Sequence, residues 1–294
     1  MSDIPPGFYT ALGTPLDTEG NVLLEAFRQQ LEQQLDAHVS GTLILGSMGI
    51  QCSVRDEEGP KLARCAVETV RGKIPLFYGV MDNSIVRVRE RIAAVEGLSL
   101  AGVVLTAPYY FVSDPEMLKR FFTTIADHSP FPVYLYDLPS VTQMKLTPDL
   151  VWEVARHPNI HGIKTGDMVL ARLLKLATGL KKNFRVFFSN VDTMDIASAF
   201  GIDRNLDGMF ACTPKNARLA FSHFASGKIA EGSQFLQNIL NLRDMFVKYG
   251  IFPSFTAAMN LLGLPGNYAP DYFGTISEDA KADIRHLMRE IGEL

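Results

Sequence analysis

The sequence predicts an α/β chain that closes into a (β/α)8 barrel, the TIM-barrel architecture, with a helical extension at its C-terminus. Short apolar β-rich runs alternate with amphipathic helical runs, the pattern of a parallel α/β fold. Eight such strand-like runs occur, the last ending at Cys212, and eight β/α units suffice to close a cylinder. Residues 228–294 then carry helical periodicity with no strand-like run, broken at 250–253 and 263–270. The chain therefore divides into a barrel over residues 1–227 and a helical extension over 228–294. An open doubly wound sheet is the competing arrangement for the same alternation.

The strand-like runs, in order, are Phe8 to Thr14, Thr42 to Leu45, Ile74 to Gly79, Gly102 to Thr106, Val133 to Tyr136, Ile160 to Lys164, Phe184 to Ser189 and Gly208 to Cys212. Several helices between them announce their starts. Asp114 precedes Pro115, Thr147 precedes Pro148 and Thr213 precedes Pro214, each a capping side chain followed by a proline whose missing N–H costs nothing at the first helical position. Ser277, followed by Glu278 and Asp279, marks the last helix, because acids favour the positive end of the helix dipole.

Composition narrows the function classes. The chain has 294 residues, 47% of them hydrophobic, so it can bury a full core without disulfides. A net charge of −4, mixed in sign along the chain, gives no basic surface for nucleic acid or for an anionic membrane. Cys52, Cys65 and Cys212 have no CxxC spacing, which points to reduced thiols in a cytoplasm. The N-terminal stretch MSDIPPGFYT lacks the basic and apolar regions of a leader, and no apolar run reaches the roughly 18 residues of a spanning helix. The six histidines form no HExxH or facial-triad spacing, so no metal is expected, and no GxSxG elbow is present.

Against that background a few residues stand out. Lys164 ends the otherwise apolar strand Ile160-His161-Gly162-Ile163-Lys164, and period two places it on one face with Ile160 and the small Gly162. If that face points inward, Lys164 stands in the barrel mouth, where desolvation disfavours an ammonium and favours a nucleophilic amine. If the strand has simply ended, it is a solvated loop lysine. Tyr136 ends the preceding strand. Neighbouring parallel strands lie about 4.8 Å apart, so a phenol and an amine at adjacent strand ends can converge on one substrate atom. The alternative for Tyr134 and Tyr136 is that both are amphipathic barrel residues with wet tips. Gly46-Ser47-Met48-Gly49 follows the second strand, and its turn can present a hydroxyl and backbone N–H groups to a carboxylate. Pro108-Tyr109-Tyr110 follows the fourth, with two adjacent rings of which at least one must leave the barrel.

Taken in order, these segments resemble the dihydrodipicolinate synthase and N-acetylneuraminate lyase family of class I, pyruvate-dependent barrel enzymes. The likeness runs through Thr10-Ala11-Leu12-Gly13-Thr14-Pro15, Gly46-Ser47-Met48-Gly49, Ala107-Pro108-Tyr109-Tyr110, Tyr136-Asp137-Leu138-Pro139-Ser140, Gly162-Ile163-Lys164 and Asn260-Leu261-Leu262-Gly263-Leu264-Pro265-Gly266. The resemblance implies a covalent imine between Lys164 and a 2-oxo acid, needing no separate cofactor, with Tyr136 moving protons at the nascent bond. Ser47, Met48 and Gly49 would hold the substrate carboxylate, and Gly208 and Phe210 would line the substrate beyond the eighth strand. A tyrosine matching Tyr110 crosses a subunit interface in relatives, which implies a homo-oligomer, a dimer or tetramer.

The departures redirect the expectation. The family usually reads Gly-Thr/Ser-Thr-Gly-Glu where this chain has Gly46-Ser47-Met48-Gly49-Ile50, and a thioether donates no hydrogen bond. Val141 replaces the arginine that grips the second substrate's carboxylate in dihydrodipicolinate synthases. Asn190 and Val191 replace a Gly-Asp pair, and Phe210 is bulkier than usual. The expectation is an aldolase joining or splitting pyruvate, or a related 2-oxo acid, and an aldehyde other than aspartate semialdehyde. A dehydratase or hydratase using the same imine is a close variant. A barrel that binds 2-oxo acids without turnover is the alternative from a different class.

Overall fold

The computed structural model describes residues 4–294, so the first three residues of the N-terminal stretch lie outside it. Eight parallel strands close in sequence order into a barrel: β1 Gly7–Ala11, β2 Gly41–Ile44, β3 Leu76–Gly79, β4 Gly102–Thr106, β5 Val133–Asp137, β6 Ile160–Thr165, β7 Arg185–Phe188 and β8 Arg204–Asp207. The cylinder shuts through β8 on β1, where Tyr9 faces Leu206 and Thr10 faces Asp207. Helices α1 Leu24–Asp36, α2 Gly59–Val70, α3 Ile85–Ala93, α4 Pro115–His128, the short α5 Pro139–Thr142, α6 Pro148–Val154, α7 Met168–Leu176, α8 Met194–Ala199 and α9 Pro214–Ala225 wrap it. The helices α10 Ile229–Tyr249, α11 Ile251–Leu261 and α12 Glu278–Glu290 follow. The barrel, rather than the open sheet, is the fold.

The eighth strand is not where the pattern places it. Gly208 to Cys212 is no strand; it leaves β8 and makes a single 3-10 turn at Met209–Ala211, while the true strand lies just upstream. Arg204, Asn205 and Asp207 make that strand polar, so its one inward apolar residue, Leu206, carried too little periodic signal. The apolar run that looked like a strand fills the space between the barrel wall and the outer helices instead.

The barrel interior is a layer of inward side chains. Tyr9, Phe77, Tyr134 and Phe187 meet edge to face, with centroids 5.0 Å apart for Tyr9–Phe187 and for Phe77–Tyr134. Such pairs add about 0.5–1.5 kcal/mol each to the burial of the rings. Gly162 makes this floor possible: a Cβ there would stand 2.7 Å from the Tyr134 ring and 2.3 Å from the Arg185 carbonyl. The floor is filled by buried, packed rings, on which the residues one inward step above it rest.

Of the four helix starts read from the sequence, three follow the capping chemistry and one does not. Asp114, Thr147 and Ser277 accept from Met117, Leu150 and Ala280 amides. The Thr213 hydroxyl instead donates to the Met209 carbonyl at 2.8 Å. The amides at the start of α9 that lack an intrahelical partner are taken by Glu293 from the chain's far end, which accepts from Lys215 and Asn216 at 3.2 and 2.9 Å. The last helix is thereby tied to the barrel. Among the described residues no helix is long and apolar enough to cross a membrane.

Candidate active site

Lys164 is buried, 5% exposed, and lies in the barrel mouth. Its register partner on β5 is Tyr136, the pairing the strand reading required for a converging amine and phenol. The Lys164 Nζ sits 3.8 Å from the centroid of the Tyr136 ring, over its electron-rich face. Among the described residues no carboxylate forms an ion pair with this amine; the carboxylates at the rim are engaged by Lys145 instead. Beneath it Phe187 is the partner on β7. The amine is thus buried outside any salt bridge, an arrangement compatible with nucleophilic chemistry.

The Tyr136 hydroxyl reaches across to Ser47, 3.1 Å from the Ser47 Oγ, and either oxygen can donate. Ser47 stands on a turn with two non-glycine residues in left-handed conformation, Leu45 at φ 55° and Ile50 at φ 46°. For a β-branched residue such as Ile50 that conformation is costly, and it is held by buried surroundings. Gly49 has to be glycine: a Cβ would come 2.9 Å from the Leu45 Cα and 3.0 Å from the Leu12 carbonyl oxygen. Its own carbonyl accepts from the Thr14 hydroxyl at 2.7 Å. The strained turn fixes the Ser47 hydroxyl over the phenol, so Ser47, Tyr136 and Lys164 form one connected group.

Met48 and Gly208 meet across the mouth. A Cβ on Gly208 would fall within 2.8–2.9 Å of three Met48 side-chain atoms, so the thioether lies against the bare backbone that begins the turn after β8. Met48 also lines the open cleft, as apolar wall rather than as hydrogen-bond donor. Phe210 does not reach the substrate space expected of it. It is fully buried outside the barrel wall, 5.7 Å from Phe8 and 5.6 Å from Phe221 between ring centroids, because the 3-10 turn rotates it into the helical layer. Tyr110 is 78% exposed and stacks edge-on against Phe111, away from Lys164 in its own chain. Asn83 orients that segment, its side-chain Oδ1 accepting from the Tyr109 and Tyr110 amides at 2.7 and 3.0 Å.

The cleft above the mouth has a volume of 710 Å³ and runs outward from Tyr136 and Met48 towards α10. Sequence reasoning missed most of its outer charged groups. Asp137, next to Tyr136, accepts from the Thr165 hydroxyl at 2.8 Å, from the Leu146 amide at 3.1 Å, and from Lys145. Lys145 also pairs with Asp167 at 3.2 Å. Burial alone would raise the Asp167 carboxyl, but the Leu170 amide and Lys145 hold it below the usual aspartate value. Arg243 enters from α10 and grips Asp192 at 2.7 and 2.9 Å. At the end of β8 Asp207 accepts from the Met209 amide at 2.9 Å, and burial pushes its carboxyl up despite that bond and the nearby charge of Lys164. Only Asp137 had a local signal, sitting beside Tyr136 in the segment that carried the family resemblance.

A profile described as the Dihydrodipicolinate synthetase family matches residues 5–291. The chain belongs to that family. A 4-hydroxy-tetrahydrodipicolinate synthase of Thermotoga neapolitana is 27% identical over 293 residues, spanning 98% of this chain and 99% of the relative. One of Exiguobacterium sibiricum is 30% identical over 195 residues, 66% of this chain and 67% of the relative. Among solved structures, the dihydrodipicolinate synthase of Thermotoga maritima superposes with a TM-score of 0.90 at 24% identity, covering 99% of this chain and 100% of the other. YagE, a prophage protein of E. coli K12 in the same family, solved in complex with pyruvate, superposes at 0.89 with 22% identity and the same coverage. At these identities the solved structures establish the shared family fold, and the site has to be argued from this chain's own residues.

Proposed function

We propose that this chain is a class I lyase that forms an imine between Lys164 and pyruvate or a related 2-oxo acid, then makes or breaks a carbon–carbon bond with an aldehyde. The observation that carries the reading is Lys164 itself: buried, without a carboxylate partner, and lying on the ring of Tyr136, whose hydroxyl meets Ser47. Attack of the amine on the 2-oxo carbon and loss of water give the imine, whose protonated nitrogen accepts the electrons of a breaking carbon–carbon bond or, after loss of a proton from the adjacent carbon, becomes an enamine whose carbon supplies the electrons of the new bond to the aldehyde. Tyr136 would carry the proton to or from the aldehyde oxygen, with Ser47 holding the phenol in place. The family relatives named as synthases of 4-hydroxy-tetrahydrodipicolinate, and the neighbour solved with pyruvate, support the donor half of this chemistry.

The acceptor in this reading is not aspartate semialdehyde. Val141 stands 52% exposed where a carboxylate-gripping arginine would be needed. A dehydratase acting on 2-oxo-3-deoxy sugar acids through the same imine has one observation in its favour, the Asp207 carboxyl on the cleft wall, a group that could exchange a proton with a departing hydroxide. Analysis of products from a panel of such acids separates the two. A homo-oligomer is supported by the exposed Tyr110–Phe111 pair, which light scattering would show as a species larger than the monomer. A cytoplasmic location fits three cysteines that are all free thiols.

The test of the imine is reduction with borohydride in the presence of pyruvate. Mass spectrometry should find the reduced adduct on Lys164 and none in Lys164→Ala; an unmodified wild-type lysine would end the proposal.

A further inference from the structure

The two cations that line the outer cleft are each already held by two carboxylates. Arg243 gives both Nη groups to Asp192, at 2.9 and 2.7 Å, and its Nε to Asp244 at 2.7 Å. Lys145 gives its Nζ to Asp137 and to Asp167. Asp207 adds a further acid to the same wall and has no cation bonded to it among the described residues. The remaining walls are apolar, as at Leu138, Val191 and Phe246, or neutral hydrogen-bonding groups, as at Ser140 and Asn190.

We infer that the second-substrate end of this cleft selects an uncharged aldehyde and rejects one that carries a carboxylate or phosphate at its far end. The inference rests on the proposed imine chemistry for the identity of the reaction, but the selectivity follows from the charges alone. An incoming anion meets no free guanidinium or ammonium. To bind, it has to displace a carboxylate from a paired cation, leaving that acid partly desolvated and unpaired, or lie beside an excess of negative charge. A neutral chain meets neither cost, and its hydroxyl or amide groups can bond to Ser140 and Asn190. The absence of a cation at Val141 removes the one place where the resemblance would have put an anion receptor. Specificity here is built by repulsion as much as by contact.

The experiment uses a pair of aldehydes of one shape and two charges, 4-oxobutanamide and 4-oxobutanoate, with pyruvate as the donor. The amide should have a kcat/KM at least about tenfold higher, a difference of roughly 1.4 kcal/mol in transition-state binding. Raised salt should narrow that gap. Asp192→Ala, which frees one edge of Arg243, should raise the acid-to-amide ratio of kcat/KM several-fold. Calorimetric binding of the same pair to Lys164→Ala, with Lys164→Met as a second background, reads the preference without chemistry. Equal handling of the two aldehydes, preference for the acid, or binding of neither overturns the inference. Loss of the borohydride adduct would instead end the imine reading, while the binding pair still reports the charge preference.

Discussion

Lys145 lines the cleft and Lys164 lies behind its wall, against the Tyr136 ring, and their surroundings could hardly differ more. Lys145 is 37% exposed and touches two aspartates, one of them with its side chain 1% exposed. Lys164 is nearly sealed, and its Nζ rests on an aromatic face. The first arrangement satisfies a charge and so stabilises the loop after β5. The second leaves the amine nearly sealed from solvent and outside any salt bridge among the described residues, the setting in which the proposed attack on a carbonyl carbon would take place. Chemical availability in this fold follows from which partners the strand ends withhold.

Tyr136→Phe gives the sharpest break between the two lysines. It removes the phenol bonded to Ser47 but keeps the ring under Lys164, so the borohydride adduct should still form while turnover falls by about 10²–10⁴. Equal loss of adduct and turnover would mean that the ring's hydroxyl is needed for imine formation itself, and that Lys164 does not act alone in that step.

Phe210→Ala asks whether the wall outside the barrel belongs to the chemistry at all. The ring is fully buried against Phe8 and Phe221, so its truncation should cost about 3–5 kcal/mol of stability, read from urea unfolding. In the fraction that stays folded, pyruvate adduct formation should be unchanged.

Lys145→Met is the counterpart of Lys164→Ala. Asp137 would keep the Thr165 hydroxyl and the Leu146 amide but lose its cation, so roughly 1–3 kcal/mol of stability should go. The adduct on Lys164 should survive. A variant that lost the adduct and kept its melting temperature would show that the two lysines work together.

These contrasts also show what the sequence could and could not convey. The β5 and β6 ends were legible because an apolar run with period two stops at a phenol in one and an amine in the other, and parallel neighbours put the two side by side. β8 was not, since Arg204, Asn205 and Asp207 break the apolar pattern while the run after it imitates a strand. Phe210 inherited that error: a residue counted on a strand face lies on a turn that points the other way. Met48 was visible as a departure, but only the folded chain shows that it rests on Gly208. Arg243 had no local signal, for its partner Asp192 is 51 positions away and the contact exists only once α10 crosses the mouth. Pairs set by register are readable from spacing; pairs set by the docking of a distant helix are not.

The Arg243–Asp192 clamp provides the smallest effect and a check on its own sign. The Arg243 hydrogen bonds hold the Asp192 carboxyl below its ordinary value of 3.8, with burial acting the other way. A carboxylate with a lowered folded-state pKa stabilises the fold above its unfolded value, and that contribution disappears as pH falls through the folded value. The Asp192 side chain is 55% exposed, so solvent screening keeps the whole effect under about 1 kcal/mol. Urea midpoints of the wild type should therefore exceed those of Asp192→Asn slightly at pH 6, with the gap closing below pH of about 4. A gap that widened in acid would place Asp192 among the groups burial penalises, and Arg243 would then be free to meet an anion in the cleft.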